Sequence, residues 1–312
     1  MMDLGTQKPI QENVELAPYT TWRVGGRARW FWEPDVQDLA GVLRHCYEQS
    51  IPTYFLGRGS NTLIADEGLD GLVICFKKAL RDIHHEGQVI VAEAGVPLPA
   101  LSKYAASLGY GGYEFLIGVP GTVGAGVGIN AGLSAKVVKE VSDIVLDVDV
   151  LTPLGKLKTL SNQDLKFAYR ESAVLEAHDL VVRARFKLEH TSTPEAIRHK
   201  TAEHLAERRR KQPLSKATAG STFKRPSGGE PAGWYIDQAG LKGYQVGGAK
   251  VSEKHANWVE NTGSATAQDI RAVIKDVQDK VAETFEVRLE REVRYLPEDV
   301  KSALEFSYAA LR

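Results

Sequence analysis

Sulfur is scarce in this chain: among 312 residues there are two methionines and two cysteines, Cys46 and Cys75. Two isolated thiols match no zinc-ligand spacing and build no disulfide framework, which excludes both classes of small stapled domain. Charge of one sign is also missing, with 39 basic residues against 40 acidic ones, so bulk charge points to neither nucleic acid nor a membrane surface. No stretch reaches the ~20 apolar residues of a membrane span, and "MMDLGTQKPIQENVEL" at the start has no signal-peptide core. No glycine precedes Lys-Ser or Lys-Thr, so there is no P-loop. Repeats and low-complexity tracts are absent as well. What remains is a chain with 43% apolar and 25% charged residues, long enough for two or three cores, with the cytoplasm as the expected compartment.

Periodicity supplies the elements. "RARWFWE" (27–33) reads as a strand. Pro34 then opens a helix in whose first turn it would sit, with Val36, Leu39, Ala40 and Leu43 at helical spacing. "PTYFL" and "GLVICF" (71–76) read as strands on either side of a glycine-rich turn, and "VIVAEAG" (89–95) and a helix over 98–109 follow. In the middle, Ile144, Leu146, Val148 and Val150 alternate with Val145, Asp147 and Asp149 before a "TPLGK" turn. In "VVRARFKLE", Val182, Ala184, Phe186 and Leu188 oppose Arg183, Arg185 and Lys187. The polar stretch "HTSTPEAIRHKTAEHLAERRRKQP" (190–213) reads as linker plus helix and offers the best domain boundary. Beyond it, Ile270, Val273, Ile274, Val277 and Val281 share one helical face. "VRLEREVRYL" reads as a closing strand, followed by a short helical tail. The class is α+β with at least two domains.

Two glycine-rich turns invite a functional reading. In "GRGSN" (57–61) the Gly57-Arg58-Gly59 turn allows φ > 0 and close approach of a ligand. Its N–H groups form an anion nest, to which Ser60 and Asn61 add side-chain hydrogen bonds. A tight turn without a ligand is the alternative for these residues alone. "GVPGTVGAGVGINAG" (118–132) places glycine at 118, 121, 124, 126, 128 and 132. Such density sacrifices chain entropy, and close backbone approach to a ligand is the expected reason. "GVGINA" (126–131) matches a Rossmann fingerprint with Asp147 and Asp149 about twenty residues on. Pro120 and the glycines before it break any strand that should precede it, so the match is read as a false lead.

Taken in order, "TTWRVGG" (20–26), "GRGSN", "IGVPGTVGAGVGINAG", "YRES" (169–172), "AGSTFKRP" (219–226), "AGWYIDQAGLKG" (232–243), "VSEKHANWVEN" (251–261) and "LEREVR" (289–294) closely resemble the MurB family, the UDP-N-acetylenolpyruvoylglucosamine reductases. The resemblance spans about residues 15–296. It implies an FAD-binding domain of the vanillyl-alcohol-oxidase (PCMH) type in two subdomains, 1–76 with 288–312 and 77–199, plus a C-terminal α+β substrate-binding domain, 200–287. It implies non-covalent FAD, NADPH as hydride donor and a UDP-sugar enolpyruvyl ether as substrate. The expected enzyme is a monomer serving peptidoglycan synthesis, and through it cell-wall biogenesis, cell shape and division. No inserted tyrosine loop appears between 172 and 205, as in the shorter subtype. The flavin positions carried over are Gly57, Arg58, Gly59, Ser60, Asn61, Gly118, Val119, Pro120, Gly121, Thr122, Gly124, Asn130, Val182 and Arg294.

For chemistry, the resemblance puts Ser221 as proton donor with Arg170 and Glu292 beside it. Arginine offers a planar fork for a carboxylate or enolate. Alternation over 287–295 projects Glu290, Glu292 and Arg294 on one face and Val287, Leu289 and Val293 on the other. The plainer readings are a turn or cap for Ser221 and a solvated strand face for Glu292 and Arg294. Lys211, Arg225, Lys242 and His255 match nucleotide positions, although "RRRK" (208–211) alone reads as a solvated helix end. His84 and His85 have no partner at ligand spacing and read as surface. The chain departs from the family pattern in "NAGLSAKVV" (130–138) and "KAT" (216–218), which leaves open a paralogue acting on another UDP-sugar. An FAD oxidase of the same fold is the reading from a different enzyme class.

Overall fold

A near-continuous apolar run such as Leu72-Val73-Ile74-Cys75 demands a strand covered on both faces, and the first of three units is built around one. The computed structural model describes residues 4–133 and 139–300. The first unit comprises β1 (Gln11–Glu15), β2 (Arg27–Trp32), α1 (Val36–Glu48), β3 (Thr53–Leu56), β4 (Thr62–Ile64) and β5 (Leu69–Cys75). Its sheet has the order β1-β2-β5-β3, with β5 parallel to both neighbours. Leu72 and Ile74 meet Leu39, Val42, Leu43 and Cys46 of α1, while Val73 and Cys75 meet Phe31, Tyr54 and Leu56 behind the sheet. Asp35 is the N-cap of α1, so Pro34 stands just outside the helix rather than in its first turn.

The second unit holds β6 (Ile83–Glu86), β7 (Val89–Glu93), α2 (Leu98–Ser107), β8 (Tyr110–Gly111), α3 (Val123–Gly128), β9 (Gly132–Leu133), β10 (Lys139–Glu140), β11 (Val145–Leu151), β12 (Leu157–Ser161), α4 (Ala173–Glu176), β13 (Leu180–Lys187), β14 (His190–Thr191) and α5 (Pro194–Lys211). Its antiparallel sheet runs β12-β11-β13-β7-β6. Ala184 and Phe186 enter the core with Ile90, Ala92 and Val148 under α2 and α3, as the alternation of β13 requires. A register shift between Val145 and Asp147 breaks the pattern expected for β11: Val145 turns inward and Leu146 faces solvent. Gly126–Gly128 belong to α3. Asp147 and Asp149 are held by Arg185 and Arg183 across the sheet, so neither is placed as a ribose ligand after "GVGINA". The boundary expected between 199 and 200 falls inside α5, one continuous helix that packs on α2 and the 3-10 turn Glu114–Gly118.

In the third unit, α6 (Ala232–Gln238), β15 (Gln245–Val246), β16 (Ala249–Val251) and β17 (Val259–Asn261) surround α7 (Ala267–Phe285), and β18 (Arg294–Leu296) returns to pair in parallel with β4 of the first unit. Ile270, Val273, Ile274, Val277 and Val281 of α7 are all buried, each worth roughly 1.5–3 kcal/mol. The strand expected over 287–295 is confined to Arg294–Leu296. Before it, the chain bonds to the irregular segment 222–224, through Lys224 N–H to Glu290 O (2.8 Å) and Glu292 N–H to Thr222 O (2.8 Å). Leu289 and Val293 nevertheless point into the core. The tail expected after 300, like residues 134–138 of the altered loop, lies outside the described residues. Among those described, no helix is long and apolar enough to cross a membrane.

The first unit also completes α7. Asp66, in the turn after β4, accepts the N–H groups of Ala267 (2.8 Å) and Gln268 (3.0 Å), donors left unpaired at any helix start. Asp66→Ala is therefore expected to cost about 1–2 kcal/mol of stability, read from urea or thermal unfolding. An unchanged midpoint would mean that Thr266 and its capping box with Asp269 suffice without it.

Candidate active site

The loop Thr20–Gly26 braces three parts of the chain at once. Trp22 donates its indole N–H to Val259 O (2.7 Å) and accepts at its carbonyl from Asn261 Nδ2 (2.8 Å), docking the third unit on the first. Next to it, Thr21 N–H donates to Gly59 O (3.0 Å), fixing the Gly57–Asn61 turn. Asn61 then reaches the far end of the chain. Its Nδ2 donates to Glu292 O (3.2 Å) and its carbonyl accepts from Arg294 N–H (3.0 Å).

Between this turn and α3 lies a cavity of about 220 Å³. Of the sequence-predicted flavin residues, Gly57, Arg58, Gly59, Ser60, Asn61, Val119, Pro120, Gly121, Thr122, Gly124 and Arg294 line it. Gly118, Asn130 and Val182 do not. Gly118 is covered by Arg208, whose Cδ would stand 2.2 Å from an added Cβ. Asn130 is buried and turned toward Glu140 and Ala168. Val182 packs in the core behind α1, and its neighbour Val181, pointing the other way, lines the cavity instead.

The glycines serve two different ends. Gly59 has φ +59° and its Cβ would meet Tyr19 O at 2.4 Å, while a Cβ on Gly57 would meet Thr122 Oγ1 at 2.8 Å and one on Gly124 would meet Ala94 Cβ at 2.9 Å. Those positions are glycine because protein packs against them. A Cβ at Gly121 or Gly128 meets nothing closer than 3.7 Å and 3.9 Å, and both residues line the cavity, leaving backbone open to a ligand. Ligand approach thus explains only part of the glycine density. A narrow, glycine-walled slot of this kind fits the diphosphate of a dinucleotide. Phe55, Phe76, Leu175 and His178 extend it; they lie outside the glycine motifs, and nothing in their local sequence marks them.

The slot shares Asn61, Ile129, Leu175, His178 and Arg294 with a larger cavity of about 1070 Å³, which Arg170, Lys224, Glu290 and Glu292 also line. Arg170 holds φ +64°, in the left-handed region that a residue with a Cβ adopts only at some strain. Its Nε donates to Glu292 Oε1 (2.9 Å) and its Nη1 reaches Glu140 Oε1 (3.5 Å), all three side chains being largely buried. Burial raises the Glu292 pKa above the ordinary carboxylate range, the Arg170 guanidinium opposing it in part. Glu140 is raised for the same reason, against Arg170 and Asn130. Ser221 lines neither cavity. It follows Gly220 (φ +80°) and precedes Thr222, whose carbonyl accepts the Glu292 N–H. Among the described residues its hydroxyl has no hydrogen-bond partner.

The nucleotide candidates divide. Lys211 pairs with Glu207 (2.6 Å) and Lys242 with Asp237 (2.6 Å), while the exposed Arg225 donates to Gly229 O. Burial lowers the His255 pKa, and Lys242, Arg208 and Lys211 lower it further; these residues form one cationic neighbourhood. Arg208 was not singled out in the sequence. Its Nε is buried without a partner among the described residues, and burial brings its pKa down to about 10. The spacing 197-201-204-208, which puts Arg208 on the face of the buried Ile197, was the available signal.

Residues 212–296 match the profile described as UDP-N-acetylenolpyruvoylglucosamine reductase, C-terminal domain, and residues 33–161 match an FAD binding domain. The chain is 41% identical over 288 residues to the UDP-N-acetylenolpyruvoylglucosamine reductase of Synechococcus sp. (strain JA-3-3Ab), covering 92% of this chain and 91% of that one. It is 40% identical over 305 residues to the reductase of the same name from Agathobacter rectalis, covering 94% and 95%. The crystal structure of the reductase from Thermus caldophilus superposes with a TM-score of 0.77 at 34% identity, covering 93% of this chain and all of that one. The α+β expectation of an FAD-binding domain followed by a C-terminal domain is borne out.

Two outcomes follow from the site as built. Gly121→Val should weaken FAD binding while leaving unfolding of the FAD-free protein nearly unchanged, whereas Gly59→Val should destabilise the FAD-free protein itself; flavin titration and unfolding midpoints separate them, and equal behaviour would refute the division of the glycines. A carboxyl whose pKa is raised by folding stabilises below its unfolded pKa and loses that contribution as pH rises through the folded one. The melting temperature of Glu292→Gln minus that of the parent should therefore increase from pH 4.5 toward neutrality. A constant difference would remove the raised pKa.

Proposed function

Because the chain belongs to the UDP-N-acetylenolpyruvoylglucosamine reductase family, we propose that it reduces the enolpyruvyl ether of UDP-N-acetylglucosamine to UDP-N-acetylmuramate, with FAD as prosthetic group and NADPH as hydride donor. The observation that carries this reading is the Arg170–Glu292 pair (2.9 Å) in a cavity that shares five lining residues with the glycine-walled slot. FAD, when bound, would supply the hydride-transfer chemistry that links the nucleotide donor to the alkene. Gly121 and Gly128 leave backbone exposed along the slot, and Asn61 ties the slot to Glu292 and Arg294, which supports their holding its diphosphate and ring.

Hydride on the terminal alkene carbon leaves an electron pair on the carbon next to the substrate carboxylate, delocalised as an enolate. The Arg170 guanidinium is suited to bind that carboxylate and stabilise the enolate as charge builds. Ser221 then gives its hydroxyl proton to the carbon, completing the saturated lactyl ether. A serine is a weak acid, and the nearby Glu292, with its raised proton affinity, is placed to hold the proton inventory around it. Lys211, Lys242, His255 and Arg225 are assigned to the UDP diphosphate. The first two are engaged only in ion pairs that expose much of both partners, which cost little to exchange.

The two half-reactions test this. Ser221→Ala should bind FAD and be reduced by NADPH at close to the parent rate, yet its reduced flavin should be reoxidised by the enolpyruvyl substrate roughly 10²–10⁴-fold more slowly. Ser221→Cys should recover part of the loss, since a thiol releases its proton more readily. Normal reoxidation of the alanine variant in stopped flow would take Ser221 out of the mechanism.

A further inference from the structure

Arg170 presents five N–H donors in a rigid fork. One goes from Nε to Glu292. Nη1 is shared between Asn130 O (3.4 Å) and Glu140 Oε1 (3.5 Å), and Nη2 donates to Gly132 O (3.3 Å). Among the described residues this leaves one Nη2 hydrogen uncommitted, and its direction is fixed once Nη1 is held. Glu140 is the charged member of the group holding Nη1. We propose that Glu140 is a positioning residue for the reaction, setting the Arg170 fork so that its remaining donor meets the substrate carboxylate; this rests on the role given above to Arg170.

The surroundings of Glu140 are built for such a task. Its Oε2 accepts from Asn130 Nδ2 (2.8 Å), and Asn130 Oδ1 in turn accepts from Ser142 N–H (3.0 Å), which prevents the amide from flipping. Both Glu140 oxygens therefore face donors, and only an ionised carboxylate satisfies both. A glutamine would set its own NH₂ against either Nη1 or Nδ2. Gly132 pairs with Glu140 across β9 and β10, and a Cβ on Gly132 would lie 2.7 Å from Glu140 Cγ. The glycine whose carbonyl takes Nη2 is thus the one that lets Glu140 past. The plainer role for Glu140 is local: with Asp143 it forms a capping box on the 3-10 turn Val141–Asp143.

A double-mutant cycle separates the two. Glu140→Gln, Arg170→Ala and the double variant are prepared with FAD bound, reduced with dithionite, and mixed with the enolpyruvyl UDP-sugar while flavin absorbance is followed. Glu140→Gln should reoxidise roughly 10²-fold more slowly at saturating substrate, with the substrate Kd, read from the shift of the flavin spectrum, moved by no more than about threefold. In the Arg170→Ala background it should have no further effect. Equal losses in both backgrounds, or a lowered melting temperature with unchanged reoxidation, would return Glu140 to a capping role and overturn the proposal. Normal reoxidation by Arg170→Ala alone would overturn the reading of Arg170 and this inference with it. Should Glu140→Gln fail to hold FAD, Glu140→Asp carries the same cycle, since it keeps a capping carboxylate but withdraws it from Arg170 by one methylene.

Discussion

A guanidinium taken out of water has to be surrounded by acceptors, and the centre of this molecule is arranged around that demand by Arg170. The acceptors come from residues 130–132, from Glu140 and from Glu292, the last separated from Arg170 by 122 positions in the chain. Each is fixed by something else in turn. Glu292 is pinned through its backbone by Thr222 on one side and Asn61 on the other, so the bond that satisfies Arg170 also aligns the segment after Gly220 with the Gly57–Asn61 turn. Moving any of these would leave a buried charge partly unpaired, a cost of several kcal/mol. The demand of one side chain therefore holds three distant stretches in register.

Electrostatics at Lys211 and Lys242 works on the opposite terms. Lys211 and Lys242 stand half in solvent with Glu207 and Asp237, pairs whose net contribution is of order 0–1 kcal/mol. Little holds them, and a more highly charged anion can replace either carboxylate. The pairs around Arg170 are buried and rigid and those at Lys211 and Lys242 exposed and loose, a division that follows from burial.

Much of this was legible in the sequence wherever one element determines its own pattern. The face of α7 and the alternation of β13 were read directly, because 3.6- and 2-residue periods record which side meets the core. What failed depends on partners elsewhere. The bulge at Val145–Asp147 exists because β11 pairs with β13 across an irregular register, which no local period contains. Residues 287–293 looked like a strand because Leu289 and Val293 alternate properly, but their neighbour 222–224 is irregular. That Gly57, Gly59 and Gly124, which do line the slot, are kept free of a side chain by Thr122, Tyr19 and Ala94 is likewise invisible locally. Glu140 escaped notice because a charged residue in a polar stretch acquires meaning from the group it faces, and Arg208 because the basic run around it hid the helical spacing from Ile197.

The pairing of β18 with β4, reinforced by the bond from Asn61 to Glu292, joins positions 232 residues apart such as Thr62 and Arg294, and that separation sets an order of events during synthesis. A ribosome that has released the first two units has already made every glycine of the slot. The strand that closes it, with Arg294 in its wall, emerges last. Long-range contacts of this kind form late, so the nascent chain folds its two N-terminal cores around an open trough. Closure of the slot therefore waits for β18, and truncation shortly before that strand would keep the glycine motifs intact yet leave the slot without its Arg294 wall.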